Sequence, residues 1–183
     1  MSLYNDAESI LITKEMIADR VRELGAELSR QYRDKNPLMI CVLKGSVVFF
    51  SDLIRAMDIP LEIEFMAISS YGNSIRSSGE VKVVKDTDKS LENRHVILVE
   101  DIIDTGLTLS YIKNMLERRA PASLKICALL DKPDRLQVDI EADYVGFKIP
   151  NKFVIGYGLD YAQKYRNMPD VCVLNPKIYN RQP

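Results

Sequence analysis

The sequence contains no tryptophan, a single histidine and only three cysteines among its 183 residues. His95 stands alone, and Cys41, Cys127 and Cys172 lie far apart, none of them in the Cys-x-x-Cys spacing of a zinc site. This scarcity excludes a zinc centre built from histidine and cysteine, so a bound metal would need oxygen ligands. An odd number of cysteines, each set in an apolar segment, also predicts buried reduced thiols rather than a disulfide framework.

Long apolar runs and an excess of charge of one sign are also lacking. The longest stretch without a charged residue spans 65–75, far shorter than the ~20 residues of a membrane-spanning helix. Lysine plus arginine number 25 and aspartate plus glutamate 26, too even a balance for a dedicated nucleic-acid binder. The first residues include acids where a secretory signal has basic and apolar residues. We therefore expect a cytoplasmic protein with no membrane partner and no nucleic-acid partner.

The length and composition predict one domain. A chain of 183 residues, 46% of them hydrophobic, can bury roughly 70% of the surface that its unfolded form exposes. Domains usually contain ~100–200 residues. We expect a single domain over 1–183 that needs neither a disulfide nor a metal to fold.

Apolar periodicity predicts strands that alternate with helices. Ile17, Val21, Leu24 and Leu28 follow steps of four, three and four residues, which is typical of an amphipathic helix over 13–33. Two further helices are expected, at about 46–58 and 106–119. Strands are expected at 39–43, 61–70, 81–84, 96–99, 124–130, 144–149, 153–157 and 171–174.

This alternation predicts an α/β fold with a mostly parallel sheet and helices on both faces. Ser46 is the expected N-cap of the second helix. The closely spaced strands after residue 142 predict a small hood of antiparallel strands, mainly from about 143 to 183. In such folds ligands bind beyond the carboxyl ends of the parallel strands, so the loops there are the candidate site.

The loop at 100–108 carries the most informative motif, Glu-Asp-Ile-Ile-Asp-Thr-Gly-Leu-Thr, and leads directly into a helix. A helix N-terminus with a glycine and two threonine hydroxyls binds phosphate well. Glu100 and Asp101 would repel phosphate and are better suited to hold hydroxyls or Mg²⁺. The combination predicts a site for a sugar phosphate.

The same residues also have a plainer interpretation, in which Asp104 caps a helix, Thr105 and Gly106 form an ordinary turn, and the two acids end a solvated strand. However, the apolar strand followed by Glu-Asp-Ile-Ile-Asp-Thr-Gly-x-Thr closely resembles the phosphoribosyl-pyrophosphate motif of the type I phosphoribosyltransferases. The resemblance covers nearly the whole chain and is closest to the hypoxanthine-guanine phosphoribosyltransferases of bacterial length.

The resemblance implies which residues bind phosphoribosyl pyrophosphate (PRPP). Glu100 and Asp101 would orient the ribose hydroxyls and ligate Mg²⁺. Leu43-Lys44-Gly45-Ser46 resembles the family's pyrophosphate loop, in which a non-proline cis peptide lets backbone N–H groups face the leaving group. The remaining PRPP contacts are implied at Lys44, Gly45, Asp104, Thr105, Gly106, Leu107, Thr108 and Arg166.

The resemblance also implies a purine site. Lys132 would contact the exocyclic oxygen, Phe153 would stack on the base, Val154 would bind it through the main chain, and Asp160 would ligate a second Mg²⁺. A lysine ammonium only donates hydrogen bonds, so it suits O6 of hypoxanthine or guanine and opposes the amino group of adenine. Asp104 would face N7 of the base and accept a proton as a general base.

Ser70-Tyr71 resembles the start of the lid that covers the reacting centre in this family, and the composition of 72–79 suits such a lid. The alternative for the same segment is a plain hairpin turn.

The activity that the resemblance implies is transfer of the 5-phosphoribosyl group from PRPP to N9 of hypoxanthine or guanine, with Mg²⁺ as cofactor. Relatives suggest a homodimer or a homotetramer. Two alternatives stay open here. One is a transferase that prefers xanthine. The other is a regulator of the same fold that senses a nucleotide and binds DNA or RNA, for which the chain lacks a basic face.

Overall fold

The computed structural model describes residues 2–70 and 81–180, which form two sheets and four α-helices. The strands are β1 (Ala7–Ile12), β2 (Leu38–Leu43), β3 (Glu62–Ser70), β4 (Val81–Lys85), β5 (His95–Ile103), β6 (Ser123–Asp131), β7 (Tyr144–Lys148), β8 (Val154–Ile155) and β9 (Val171–Leu174). The helices are α1 (Lys14–Gln31), α2 (Val47–Ala56), α3 (Leu107–Glu117) and α4 (Pro176–Tyr179), and short 3-10 turns lie at Leu3–Asp6 and Pro133–Arg135.

The main sheet has six strands in the order β4-β3-β2-β5-β6-β7. All pairings within it are parallel except that of β4, which runs antiparallel to β3. This arrangement confirms the predicted α/β class and the mostly parallel sheet.

Strand β2 shows why the central strands consist of uninterrupted apolar residues. Met39 and Cys41 point to the face covered by α1 and α2, whereas Leu38 and Ile40 point to the face covered by α3. All four are fully buried. Successive side chains of a strand alternate between faces, so a strand with helices on both sides needs apolar residues at every position.

Helix α1 begins where its sequence predicts. The side chain of Thr13 accepts a hydrogen bond from the N–H of Met16 at 3.3 Å, which caps the helix. The predicted apolar face of this helix is buried in the core. The three cysteines are buried free thiols, as expected.

The small sheet consists of β1, β9 and β8, which pair antiparallel. It corrects the predicted hood in two ways. Strand β7 pairs parallel with β6 and extends the main sheet, and the N-terminal strand β1 supplies an edge of the small sheet. The connection over 132–143 contains a 3-10 turn and no α-helix, so its shortness made β7 look like part of an antiparallel group. The single-domain boundary at 1–183 stays a prediction.

Among the residues that the structure describes, no helix has both the length and the hydropathy to cross a membrane.

Candidate active site

The candidate site lies where the loops after β2, β5 and β6 meet at the carboxyl edge of the main sheet. Strand β5 is longer than predicted: it pairs with β6 as far as Ile103, opposite Asp131. Glu100 and Asp101 therefore lie on the sheet rather than in a loop. Sequence analysis ended this strand at Val99 because charged residues follow, and only the pairing with β6 reveals the continuation.

Two adjacent carboxylates form the centre of this edge. Glu100 Oε2 is buried and has no hydrogen-bond partner within the described part of the chain. Burial raises the pKa of Glu100 well above its usual range, and the neighbouring charge of Asp101 raises it further. Burial also raises the pKa of Asp101 to about 6, although its Oδ1 accepts a hydrogen bond from the N–H of Ile102 at 2.9 Å. Two adjacent desolvated carboxylates are suited to bind a cation or hydroxyl donors.

The loop after β2 packs directly on this pair. A Cβ on Gly45 would lie 1.6 Å from Asp101 Oδ2, so only glycine allows the loop to approach so closely. The peptide between Leu43 and Lys44 is cis, as the family resemblance implies. Gly158, with φ at +101°, covers the other side of the loop, and a Cβ there would lie 2.0 Å from the carbonyl oxygen of Gly45. Sequence analysis did not identify this role of Gly158, because the contact joins segments more than a hundred residues apart.

Ser46 occupies the N-cap position of α2, as predicted, but its side chain does not cap the helix. Ser46 has the backbone conformation of a helix, not the extended one typical of an N-cap, and its side chain makes no cap hydrogen bond. Instead, its buried Oγ donates to the carbonyl oxygen of Val42 at 2.5 Å and lies 3.2 Å from Cys41 Sγ. The hydroxyl therefore stabilises the turn that carries Lys44 and Gly45.

The segment 104–108 forms the start of α3. Gly106 is the N-cap residue and has φ at +78°, while Leu107 and Thr108 begin the helix. Asp104 is therefore not the helix cap of the plainer interpretation. The carbonyl oxygen of Thr105 accepts a hydrogen bond from Gln137 at 3.0 Å, which ties the loop to the segment after β6. The opening N–H groups of α3 thus lie at the same sheet edge as the carboxylates, where an anion would be stabilised.

Asp104 has a partner that sequence analysis left out. Its Oδ1 accepts a hydrogen bond from Arg135 Nε at 2.9 Å, and both side chains are about half-exposed. Arg135 ends the 3-10 turn after β6, and its backbone N–H donates to the carbonyl oxygen of Lys132 at 3.0 Å. No motif in the sequence marked Arg135, but its spacing of three residues from Lys132 places both cations beside one carboxylate.

Lys132 is only 7% exposed, which is unusual for lysine. Its backbone N–H donates to the carbonyl oxygen of Ile103 at 3.0 Å, so the residue is fixed beside the end of β5. Burial lowers the pKa of Lys132, and the charge of Arg135 lowers it further, while that of Asp104 opposes the shift. A buried ammonium at a ligand-facing edge is suited to an uncharged oxygen acceptor.

The other predicted residues lie on or beside the small sheet. Val154 is buried in β8, and Phe153 just before it is 41% exposed. Asp160 pairs with Arg166 Nη2 at 2.8 Å through Oδ1, and its Oδ2 accepts from the N–H of Gln163 at 2.8 Å. Arg166 thus contacts Asp160 and not the carboxylates of the main sheet.

A second contact of Arg166 links it to the loop after β2. Arg166 Nη1 donates to the carbonyl oxygen of Gly158 at 2.7 Å, and Gly158 is the residue packed on Gly45. Of the predicted lid, Ser70 is the last residue of β3, and 71–79 lie outside the described residues.

The sequence matches the phosphoribosyl transferase domain family over residues 7–162. The chain is 54% identical to the hypoxanthine-guanine phosphoribosyltransferase of Bacillus subtilis over 177 residues, which cover 97% of this chain and 98% of the relative. It is also 50% identical over 179 residues to the bifunctional protein TilS/HprT of Listeria monocytogenes, covering 98% of this chain, and it spans only 28% of that longer protein.

Solved structures agree with the sequence comparison. A crystal structure of a hypoxanthine phosphoribosyltransferase from Staphylococcus aureus superposes with a TM-score of 0.93 at 47% identity, covering 97% of this chain and 96% of that one. A hypoxanthine phosphoribosyl transferase from Trypanosoma cruzi superposes with a TM-score of 0.91 at 46% identity, covering 98% of this chain and 97% of that one. The chain belongs to the phosphoribosyltransferases. Within that family it groups with the hypoxanthine-guanine phosphoribosyltransferases, as the resemblance over nearly the whole chain had indicated.

Proposed function

We propose that the chain transfers the 5-phosphoribosyl group from PRPP to N9 of hypoxanthine or guanine, which gives IMP or GMP and pyrophosphate. The observation that carries the proposal is the meeting of Glu100-Asp101, the start of α3 and buried Lys132 at one edge of the main sheet. Carboxylates for ribose hydroxyls, N–H groups for phosphate and an ammonium for a purine oxygen are the parts that this reaction needs. The names of the relatives support the same reaction.

The residues at this edge fit Mg²⁺. Glu100 Oε2 is a buried oxygen with no hydrogen-bond partner in the part of the chain that the structure describes, and Asp101 lies beside it. Among residues 2–70 and 81–180, no group of three or more acidic, histidine or cysteine side chains could hold a metal alone. Mg²⁺ is typically bound by one or two carboxylates together with substrate oxygens, so PRPP would supply the remaining ligands. Bound there, Mg²⁺ would neutralise charge on the pyrophosphate leaving group.

Asp160 is proposed as a ligand of a second Mg²⁺. Its Oδ1 already pairs with Arg166, so ligation at that oxygen would release the guanidinium. Arg166 would then be free to contact the pyrophosphate together with Lys44 and the backbone of Gly45. The carboxylate of Asp160 would then have a cation beside it both before substrate binds, from Arg166, and afterwards, from Mg²⁺.

Asp104 is proposed as the general base. Arg135 holds one oxygen of its carboxylate, which leaves Oδ2 to accept a proton from N7 of the purine as the new bond to N9 forms. Lys132 lies next to Asp104 and would donate to O6. Thr105 and Thr108 would add hydroxyl donors to the 5′-phosphate site.

We expect the protein to act in the cytoplasm as a homodimer or a homotetramer. A cavity of about 650 Å³ opens between α1, α2 and the segment around Arg166, and it is lined by Ile17, Val21, Val48, Met168 and other residues. A subunit contact there would brace the loop that carries Lys44. Light scattering that shows a monomer would contradict this expectation.

One assay tests the proposed reaction. The purified protein is incubated with PRPP and Mg²⁺, and hypoxanthine, guanine, xanthine and adenine are followed in parallel by absorbance. Turnover of hypoxanthine or guanine and none of adenine is expected. Turnover of no base would favour the nucleotide-sensing regulator, and a clear preference for xanthine would favour the other alternative.

A further inference from the structure

Phe153 belongs to a group of three aromatic rings, which we call the aromatic group: Phe153, Tyr161 and Tyr179. The ring of Tyr179 stacks on Phe153 with centroids 5.4 Å apart and an interplanar angle of 27°. The ring of Tyr161 meets Phe153 edge-on at 5.6 Å and 88°. The three rings come from the residue before β8, the loop beside Asp160 and the helix α4.

Both segments that carry the stacked rings, helix α4 and the residue before β8, are attached to the body of the protein. The N–H of Asn175, its N-cap residue, donates to the carbonyl oxygen of Asp6 at 2.9 Å. Ile178 packs against the apolar cluster that includes Leu174. On the other side, the carbonyl oxygen of Phe153 accepts from the N–H of Leu174 at 2.8 Å. A backbone hydrogen bond therefore fixes Phe153 directly, and another fixes the start of the short helix that carries Tyr179.

The proposed function places the purine against Phe153, so the orientation of this ring matters. Phe153 is 41% exposed, and a half-exposed phenylalanine without neighbours would sample several rotamers. Ordering such a side chain when a ligand binds reduces affinity, whereas a ring already held in place does not incur that loss. Offset-stacked and edge-on contacts are the favourable geometries for aromatic pairs, and the aromatic group contains one of each.

We propose that Tyr179 is a positioning residue of the purine site, whose ring holds the plane of Phe153 ready to stack on the base. This inference rests on the proposed function, because it takes the base to lie against Phe153. Tyr179 acts through Phe153 and not through the carboxylates or the start of α3. Its influence is therefore confined to ligands that carry a base.

The test compares two ligands that differ in the base. Titration calorimetry measures the Kd of GMP and the Kd of PRPP with Mg²⁺ for the wild type, Tyr179→Ala, Tyr179→Leu and Tyr179→Phe. In both ring-less variants, Tyr179→Ala and Tyr179→Leu, the Kd of GMP is expected to rise by about two- to tenfold and the Kd of PRPP to stay unchanged. Tyr179→Phe keeps the ring and should bind GMP like the wild type. In turnover, the ring-less variants should raise KM for guanine with kcat little changed.

The matched control is Tyr111→Ala, which removes another exposed tyrosine, on α3 and outside the aromatic group. It should leave the Kd of GMP unchanged. Melting temperatures show whether each variant folds, and Tyr179→Leu, which retains apolar bulk, serves if the alanine variant does not.

Three results would overturn the inference. An unchanged Kd of GMP in a folded ring-less variant would show that Phe153 needs no support. A lower Kd would show that the ring of Tyr179 stands where the base binds. An equal rise in the Kd of PRPP would show a general structural role. A fourth result concerns the proposed function itself. If the wild type binds PRPP but no GMP, the proposed purine site is wrong, and the role of Tyr179 falls with it.

Discussion

The PRPP side and the purine side of the candidate site are built in different ways. Most of the predicted PRPP side lies in one segment, because the carboxylates, Asp104 and the start of α3 all lie within 100–108, and the loop with Gly45 joins them from β2. The proposed purine side draws on remote segments: Lys132 after β6, Phe153 before β8 and Tyr179 in α4. The carboxylates of Glu100 and Asp101 on the first side are buried, whereas the rings of Phe153 and Tyr179 on the second are partly exposed.

This difference indicates that the two sides of the candidate site bind chemically different ligands. A charged ligand that must be held together with a cation needs desolvated oxygens at fixed positions, which a central strand supplies. A flat, largely uncharged base needs an aromatic face and one hydrogen-bond donor, which neighbouring segments can supply. Substitutions on the PRPP side should therefore change turnover and PRPP binding, and substitutions on the purine side should change base affinity and selectivity.

The largest effect is expected for Asp104→Asn, at the point where the two halves meet. The amide retains the shape of the side chain but cannot accept the proton from N7, so kcat should fall by about 10²- to 10⁴-fold. Binding of GMP and PRPP, measured by calorimetry, should change far less. An equal loss of binding and turnover would show that Asp104 acts on ligand binding rather than on proton transfer.

Gly45→Ala should be the next most damaging change. The added Cβ would overlap Asp101 Oδ2, so either the loop after β2 or the Asp101 carboxylate must shift from its place. We expect the Kd of PRPP with Mg²⁺ to rise by about tenfold or more. Displacement of a positioning group by about 1 Å can lower the rate of an enzyme by about a hundredfold. GMP, which lacks the pyrophosphate, should be affected less. Unaltered PRPP binding would mean that the contact between loop and carboxylate has no functional role.

Lys132→Gln tests the purine side alone. Glutamine can donate to or accept from a purine, so discrimination between 6-oxo and 6-amino bases should relax by about tenfold or more. The measurement is the ratio of kcat/KM for hypoxanthine to that for adenine. The Kd of PRPP, measured in parallel, should stay near the wild-type value. An unchanged ratio would show that Lys132 does not distinguish the substituents at the 6-position of the purine.

Arg135→Ala should have the smallest effect of the four. The Arg135–Asp104 pair is half-exposed, and such pairs contribute little to stability. The melting temperature should therefore hardly change, while kcat should fall by about two- to fivefold because Asp104 loses the partner that orients it. Arg135→Lys, which keeps the charge, is the matched control and should recover part of the loss. A full wild-type kcat in the alanine variant would show that the hydrogen bond is incidental.

Much of the fold was predictable, because apolar periodicity reports burial directly. The strands β2 and β3 and the helices α1 and α3 were predicted close to their observed bounds, whereas β5 was predicted too short. The errors arose where pairing decides the outcome. Strand β7 belongs to the main sheet through its parallel pairing with β6, and spacing along the chain does not distinguish parallel from antiparallel pairing.

The candidate site shows the same limit. The motif at 100–108 identified the PRPP side, because its chemistry lies within nine consecutive residues. The partners of those residues were not predictable: Arg135 on Asp104, Gly158 on the loop after β2, and Arg166 on Asp160. Each joins segments whose proximity depends on the completed fold. The assignments of individual site residues remain predictions that the substitutions above would test.

The sequence alone determined the class of the fold and the family, and it predicted the chemical character of both halves of the candidate site. Those properties depend on residue type and local spacing, which are written in the chain itself. The tertiary structure alone decided which strand belongs to which sheet, that Glu100 Oε2 has no hydrogen-bond partner among the described residues, and which ring stacks on Phe153. Those properties depend on distances between remote segments, and such distances exist only once the core has packed.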